Sequence, residues 1–276
     1  MRGATAAPGR AASAAPRSLG TYVRHWRRRK SVGRSEFLES DRRVRSDEYI
    51  PWLCAVLGGW VLPDHGNLRA FEYAVRSMPS GGAMVEVGSF LGLSTNLLAY
   101  LAMQHDRDNP FFSCDPWVFE GTAQRIGGYF DAGSEAFRHY AKRVFQMNVE
   151  LFSGGRKPYA IETSSRDFFA QWDQRSSVQD VFGRSVVLGG PISFAYIDGA
   201  HTAEAVQGDF LCVDRHLLPG GFILFDDSDD GGCFPEVSQV ARVVAEDPSY
   251  EVVFKTPHYF VRKMIERSVD YTELER

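Results

Sequence analysis

The sequence predicts an α/β fold with a doubly wound, mostly parallel sheet of about seven strands and an N-terminal helical cap. Two observations support this prediction. Short, almost continuously apolar segments alternate with segments that have helical features, as expected when helices bury parallel strands on both faces. Several of the apolar segments end in an acidic residue, which would bring carboxylates together at the carboxyl edge of such a sheet.

The individual elements follow from apolar runs, helix start signals and Gly/Pro breaks. The predicted strands cover residues 83–87, 110–114, 159–163, 192–197 and 222–225, with two further strands near 251–254 and 259–262. One predicted helix starts at Asp47-Glu48, and others cover 68–77, 94–103, 135–149, 167–172 and about 202–217. The segment Leu218-Pro219-Gly220-Gly221 is a helix stop signal, so we expect the last helix to end there.

Composition divides the chain into four parts. Residues 1–45 are predicted to be a disordered basic tail, 46–80 the helical cap, 81–265 the main domain with a lid insertion at 116–150, and 266–276 a C-terminal tail. The basic tail contains a cluster at residues 24–30 but no apolar segment of the kind found in secretory signals. An organelle transit peptide and an RNA-binding arm are the alternative interpretations of this tail.

Charge and composition argue against several classes of protein. Residues 1–35 hold nine of the 31 Lys/Arg residues and no acid, so the rest of the chain carries 22 basic against 35 acidic residues. Such an acidic body argues against nucleic acid as the main partner, and no apolar run approaches the ~20 residues of a membrane span. The four cysteines are far apart, which indicates reduced thiols and a cytoplasmic location. The apolar segment 50–62 either packs over the site or forms a homo-oligomer interface, and the sequence leaves both open.

The segment from Glu86 to Ser94, EVGSFLGLS, is the most specific motif. Gly88 allows a tight turn after the strand, and Gly92 allows the next helix to point its N-terminus closely at a ligand. A dinucleotide-binding motif needs glycine where Phe90 stands, so that pyrophosphate can contact the backbone. The pattern therefore disfavours a hydride-transferring enzyme and favours a ligand without pyrophosphate, such as S-adenosylmethionine. The alternative is a turn that only packs helix on strand.

Carboxylates end two neighbouring predicted strands, at Asp198 and at Asp226-Asp227. Mg²⁺ prefers hard oxygen ligands, and adjacent carboxylates repel one another unless a cation neutralises them or one is protonated. We therefore predict a magnesium site formed by Asp198, Asp226 and Asp227. The alternative is that Asp227 caps the following element while Asp198 faces solvent.

His201 and Asp198 are the predicted catalytic residues, three positions apart at the same rim of the sheet. A histidine titrates near neutral pH and can take a proton from a hydroxyl whose acidity a metal has raised. We therefore predict that His201 is the base. His139, in the lid insertion, is a second candidate on the substrate side.

ExGxxxGxS at residues 86–94 is similar to the first motif of the class I methyltransferases, especially the branch that includes catechol O-methyltransferase. The stretch YIDGAHT at 196–202, followed by LPGG at 218–221 and FDD at 225–227, resembles the macrocin-type deoxysugar O-methyltransferases. The similarity covers about residues 80–262. In the catechol branch, a lysine occupies the position that corresponds to His201.

The resemblance implies roles for particular residues. Glu86 and Gly88 are expected to flank the methionine part of S-adenosylmethionine, and Asp115 to hydrogen-bond the ribose hydroxyls. Ser164 or Ser165 is expected near the adenine, and the acidic residues Asp198, Asp226 and Asp227 are expected to hold magnesium. Trp117, two residues after Asp115, is predicted to wall the pocket. The complete predicted cofactor-binding set is Glu86, Gly88, Ser89, Gly92, Ser94, Asp115, Trp117, Ser164 and Asp198.

We therefore predict an S-adenosylmethionine-dependent O-methyltransferase that uses Mg²⁺ to methylate a hydroxyl of a small molecule. The acceptor is expected to have vicinal oxygens, as in a sugar or a phenol of secondary metabolism. A metal-independent methyltransferase of the same fold and a non-catalytic binding module that kept the fold are the alternatives. Activity in excess chelator favours the first alternative, and failure to bind S-adenosylmethionine favours the second.

Overall fold

A computed structural model describes residues 34–59, 66–119, 125–126, 130–131 and 133–265. Its helices are α1 (Arg34–Ser46), α2 (Tyr49–Val56), α3 (Gly66–Ser77), α4 (Leu93–Gln104), α5 (Glu135–Phe152), α6 (Ser165–Asp173), α7 (Ala203–Asp214) and α8 (Pro235–Glu246). None of these described helices is both long enough and apolar enough to cross a membrane.

One large sheet forms the centre of the molecule. Its strands are β1 (Ala83–Val87), β2 (Phe111–Cys114), β5 (Tyr159–Ile161), β8 (Ile192–Ile197), β9 (Leu217–Phe225), β10 (Tyr250–Lys255) and β11 (Tyr259–Lys263). Two short antiparallel pairs lie outside it: β3 (Arg125–Ile126) with β4 (Phe130–Asp131), and β6 (Ser177–Gln179) with β7 (Ser185–Val187). The order in the large sheet is β5-β2-β1-β8-β9-β11-β10, and β11 is antiparallel to both of its neighbours.

The predicted fold class is confirmed, because helices cover both faces of this mostly parallel sheet. Strand β8 shows why, since its successive side chains point to opposite faces. Tyr196 contacts the ring of Phe71 on α3, with ring centroids 4.8 Å apart. On the other face, Ile197 belongs to a buried cluster that includes Phe210 of α7. The strand order reverses between β1 and β8, and their carboxyl ends therefore border a crevice.

Most predicted elements are present, but the end of α7 differs from the prediction. The strands predicted at 83–87 and 192–197 coincide with β1 and β8. The helix predicted to reach residue 217 ends at Asp214, and β9 starts at Leu217. The physical reason is that Leu217 is buried and pairs with Ile192 of β8. The stop signal at 218–221 therefore lies within β9 and not after the helix.

The predicted tail boundary at residue 45 is wrong, because α1 occupies residues 34–46. Phe37 contacts the ring of Phe254 at 5.2 Å, and Val44 is buried. The carboxylate of Asp41 accepts a hydrogen bond of 2.6 Å from the buried Arg69 on α3. Tertiary contacts of α1 therefore outweigh the basic composition of this region. Residues 1–33 and 266–276 lie outside the described residues, as do the predictions made for them.

Helix α5 belongs to the body of the domain, which corrects the predicted lid insertion at 116–150. Its inward side chains Ala141, Phe145 and Val149 are buried in a cluster with Trp117 and Ala160. The helix connects β2 to the adjacent parallel strand β5, so it is a crossover helix covering the sheet. The apolar stripe along α5 accounts for this position. Residues 120–124, 127–129 and 132 lie outside the described part of the insertion.

Helix α8 and the short pairs β3–β4 and β6–β7 were not predicted from the sequence. Helix α8 starts at Pro235 and buries Val237, Val240 and Val244, a helical spacing that sequence reasoning overlooked. The pair β6–β7 is exposed on alternating residues and too short to have a clear sequence pattern.

Candidate active site

A cleft of about 490 Å³ opens at the carboxyl ends of β1, β2, β8 and β9. Open α/β sheets bind ligands at this place, outside the strand ends where the order reverses. Its walls come from the loops after these four strands, from Gly58 and Gly59 after α2, and from the start of α6. Segment 50–62 therefore contributes to the cleft, while Trp52 and Val56 of the same segment are exposed.

The loop after β1 needs glycine at position 88. Gly88 has a φ of +86°, and a Cβ atom added there would overlap the carbonyl oxygen of Asp198. Gly92, with a φ of +90°, begins α4, and a Cβ atom there would lie 3.1 Å from the ring of Phe145. Because Gly88 has no side chain, the ends of β1 and β8 can lie close together. Because Gly92 has none, α4 can pack closely on α5.

Asp115, which follows β2, holds the loop after β1 in place. Its carboxylate accepts hydrogen bonds from the backbone N–H groups of Ser89 at 2.8 Å, Phe90 at 2.9 Å and Trp117 at 2.6 Å. Burial raises the pKa of Asp115, and these three N–H groups oppose that rise. The carboxylate lines the cleft, where a ligand would meet it.

Glu86 lies beneath the cleft and is fully buried. Its two carboxylate oxygens accept hydrogen bonds of 2.6 Å from the hydroxyls of Ser94 and Thr95 at the start of α4. Burial raises the pKa of Glu86 to about 7, although these hydroxyls act in the opposite direction. Glu86 therefore positions the first turn of α4 and is separated from the open cleft.

Replacing Glu86 by glutamine is expected to stabilise the ligand-free protein at about pH 8. The native pKa of about 7 lies above the ordinary 4.5, so the native state keeps a proton that the unfolded chain loses as pH rises between these values. Wild-type stability should fall across that window, and Glu86→Gln should avoid the loss, which is about 2–3 kcal/mol. Urea unfolding of both proteins at about pH 5 and pH 8 measures this. An equal difference in unfolding free energy at both pH values would contradict it.

Asp198, Asp226 and Asp227 form an acidic cluster at the ends of β8 and β9. Asp226 is the most firmly held of the three. One of its oxygens accepts a 2.6 Å hydrogen bond from the Asn67 side chain and lies 2.6 Å from Nδ1 of His258, and the other accepts one of 2.7 Å from the Tyr196 hydroxyl. Burial alone would raise the pKa of Asp226, but His258, Tyr196 and Asn67 lower it overall.

Asp198 and Asp227 have fewer partners and face the cleft. The hydroxyl of Tyr196 donates to Asp198 over 3.2 Å. Burial, and then the negative charges of Asp226 and Asp227, raise the pKa of Asp198 well above its ordinary value. Asp227 has a φ of +50°, a conformation that costs energy for a non-glycine residue and is common at functional sites. A cation between these carboxylates would relieve their repulsion.

His201 completes the site. Its Nε2 atom lies 2.9 Å from a carboxylate oxygen of Asp227, but it is buried without a hydrogen-bond partner among the described residues. Its ring stacks on Phe234 with centroids 4.1 Å apart and planes 20° apart. Asp198, His201 and Asp227 each offer one potential metal-ligand atom, and these three atoms lie within 4.8 Å of one another. The same is true of Asp226, Asp227 and His258. Each group could hold a metal ion, and the two groups share Asp227.

The structure brings most of the predicted site residues to this one cleft. The predicted residues that line it are Gly88, Ser89, Ser94, Asp115, Ser164, Asp198, His201, Asp226 and Asp227. Glu86 and Gly92 do not line the cleft. Trp117 is a correction: it is fully buried, its ring lies 5.2 Å from that of Phe145, and its indole N–H donates to the carbonyl of Phe90 at 2.9 Å. The candidate His139 is exposed on α5 and does not line the cleft.

Sequence reasoning missed the residues around the acidic cluster. Asn67 and His258 reach Asp226 from positions 159 residues before and 32 residues after it, so no local spacing connects them. Phe234 likewise contacts His201 from the start of α8. Tyr196 alone had a usable signal, because it lies two residues before Asp198 on β8.

The chain is similar to known proteins in sequence and in fold. Residues 85–228 match the family described as a methyltransferase domain. Among solved structures, a Staphylococcus aureus protein assigned as a caffeoyl-CoA O-methyltransferase is 13% identical, with a TM-score of 0.51 and coverage of 84% of this chain and 99% of that one. CalS11, a TDP-rhamnose 3'-O-methyltransferase of calicheamicin biosynthesis, is 15% identical, with a TM-score of 0.48 and coverage of 83% and 93%. At these identities the likeness to solved structures concerns the fold.

Proposed function

This chain is a methyltransferase of the methyltransferase-domain family, and we propose that it transfers a methyl group from S-adenosylmethionine to a hydroxyl oxygen of a small molecule in the presence of Mg²⁺. The proposed acceptor is a sugar or phenol with vicinal oxygens, as found in secondary metabolism. One observation carries the proposal: the loop held by Asp115 and the acidic cluster border the same cleft. A methyl donor and an acceptor oxygen would therefore be neighbours there.

The loop after β1 supports the donor half of the proposal. S-adenosylmethionine supplies, when bound, a sulfonium methyl group that is open to attack by a nucleophile. Asp115 would bind the ribose hydroxyls, because its carboxylate lines the cleft and is held in position by three backbone N–H groups. Ser164, which also lines the cleft and caps α6, would lie near the adenine.

The acidic cluster supports a divalent cation. Its donors are hard carboxylate oxygens, and the raised pKa of Asp198 reflects repulsion that a cation would relieve. A bound cation supplies positive charge that stabilises an ionised acceptor oxygen. Asn67, Tyr196 and His258 would hold Asp226 in orientation, as partners of metal-binding carboxylates commonly do.

His201 is the proposed base. Its imidazole would accept the proton of the acceptor hydroxyl, because the His201 side chain lines the cleft beside the acidic cluster. Phe234 keeps the imidazole plane in one orientation by stacking on it. Most of the remaining rate gain would come from holding donor and acceptor in line.

The donor site is tested by calorimetric titration with S-adenosylhomocysteine. The wild type should bind it, and Asp115→Asn should bind about 10–100-fold more weakly, because charge-assisted hydrogen bonds are lost. Asp106→Asn, at a position outside the cleft, is the matched control and should bind like the wild type. Equal affinity of Asp115→Asn and wild type, or no binding by either, would refute the proposed donor site.

Replacing His201 by alanine tests the base. We expect kcat to fall about 10²–10⁴-fold, the usual range for removal of a general base. The affinity for S-adenosylhomocysteine should change little, since the imidazole acts on the acceptor. Single-turnover transfer of a labelled methyl group to a panel of catechols and sugars measures the rate. If His201→Ala transferred methyl groups at the wild-type rate, His201 would not be the base.

We also propose a cytoplasmic location and a small-molecule acceptor in place of nucleic acid. The four cysteines are unpaired, which is usual in a reducing compartment. Beyond residue 35 the chain carries 22 basic against 35 acidic residues, a balance that disfavours binding of a nucleic acid backbone.

A further inference from the structure

The outward face of α5 carries a row of exposed apolar side chains. Tyr140 is 56% exposed, Met147 46% and Leu151 70%. Their spacing of seven and four residues places them on one side of the helix, opposite the buried Ala141 and Phe145 that pack on the body of the domain. A single exposed apolar side chain is common on proteins, but a continuous row on one helix indicates an interaction surface.

Helix α2 extends this row. Trp52 is 47% exposed and Val56 50%, and the ring of Trp52 lies 5.5 Å from that of Phe152 at the end of α5. The Tyr49 hydroxyl donates a 3.4 Å hydrogen bond to the carbonyl oxygen of Phe152, which fixes α2 beside this end of α5. The apolar surface therefore extends from α5 onto α2. We refer to Trp52, Val56, Tyr140, Met147 and Leu151 as the α5–α2 patch.

The charges beside the patch indicate what covers it. Arg143 and Glu150 are exposed, lie two helical turns apart on the same flank of α5, and have no ion pair among the described residues. Arg138 and Lys142, in contrast, both pair with Glu162. If two copies of α5 cross antiparallel about a two-fold axis between positions 146 and 147, Arg143 of each copy faces Glu150 of the other. This flank of α5 in one copy is thus complementary in charge to the same flank in the other copy.

We propose that the α5–α2 patch is the interface of a homodimer in which the two α5 helices pack antiparallel. The two-fold axis also brings Trp52 and Val56, at the C-terminal end of one α5, toward Tyr140 at the N-terminal end of the other. Such an isologous contact uses the same residues twice, so each favourable pair is formed twice. The contact leaves the cleft free, because Gly58 and Gly59 line it while Trp52 and Val56 face outward.

Sedimentation equilibrium of the full chain tests the interface. The wild type should be a dimer at micromolar concentration. Arg143→Glu and Glu150→Arg should each weaken association about tenfold or more, because each places like charges opposite one another twice. An equimolar mixture of the two variants should form a heterodimer, and the double variant R143E/E150R should dimerise like the wild type. Arg166→Glu on α6 is the matched control and should leave association unchanged.

Leu151→Glu provides a second test that does not depend on the charge pairs, and it should yield a folded monomer with the far-UV circular dichroism spectrum of the wild type. A wild type that stays monomeric at about 100 μM overturns the proposal, including one that binds lipid vesicles through this patch. So does a dimer that Arg143→Glu, Glu150→Arg and Leu151→Glu leave intact. Loss of association in both single variants without recovery in the mixture and the double variant overturns the antiparallel arrangement.

Discussion

Asp198→Asn is expected to lower kcat/KM by about 10³-fold or more, together with a loss of divalent metal binding. Burial and the charges of Asp226 and Asp227 raise the pKa of Asp198, so it is the carboxylate whose charge depends most on a neighbouring cation. The measurements are methyl transfer to an acceptor panel and Mn²⁺ binding followed by electron paramagnetic resonance. Asp229→Asn is the matched control, because Asp229 follows the neighbouring strand β9 but does not line the cleft.

Removal of metal from the wild type should have the same effect. Excess chelator is expected to abolish methyl transfer, and added Mg²⁺ should restore it. Full activity in chelator would favour the metal-independent alternative, in which His201 beside Asp227 acts without a cation. Normal Mn²⁺ binding by Asp198→Asn would show that the ion lies elsewhere, even if activity is lost.

Gly88→Ala is expected to destabilise the protein by roughly 3–5 kcal/mol and to abolish binding of S-adenosylhomocysteine. A Cβ atom at this position would overlap the carbonyl oxygen of Asp198, so the ends of β1 and β8 would have to separate. The φ of +86° adds a cost for alanine. Urea unfolding measures the stability, and calorimetry measures the binding.

Gly155→Ala separates the cost of the steric overlap from the cost of the positive φ. Gly155 has a φ of +88°, almost that of Gly88, but a Cβ atom there would meet nothing within 4 Å. It should therefore cost only about 1 kcal/mol, the price of the backbone conformation. If both variants lost the same stability, close approach of the two strands would not be the reason for glycine at position 88.

The parts of the site that could be predicted are those with a local sequence signal. Glu86, Gly88 and Ser94 lie within one nine-residue motif, and Asp115 and Asp198 directly follow apolar strands. Since parallel strands end at the same edge of a sheet, recognising the strands was enough to expect these residues near one cleft. The structure brings Gly88, Asp115 and Asp198 to that cleft.

Other features depend on contacts between distant parts of the chain. Composition could not reveal α1, because its position depends on Asp41 meeting Arg69 and on Phe37 meeting Phe254. Trp117 was predicted to wall the pocket because it follows Asp115. It turns inward instead, since α5 offers a buried surface at Phe145.

From its residues alone, the chain determines an alternating α/β fold, a glycine loop unsuited to pyrophosphate, and carboxylates at neighbouring strand ends. Each of these depends on periodicity or on spacing within a few residues. Only the tertiary structure decided that Asn67, Tyr196 and His258 surround Asp226, and that Phe234 stacks on His201. The physical reason is that side-chain partners far apart in sequence meet through packing, and packing depends on the shapes of all the elements at once.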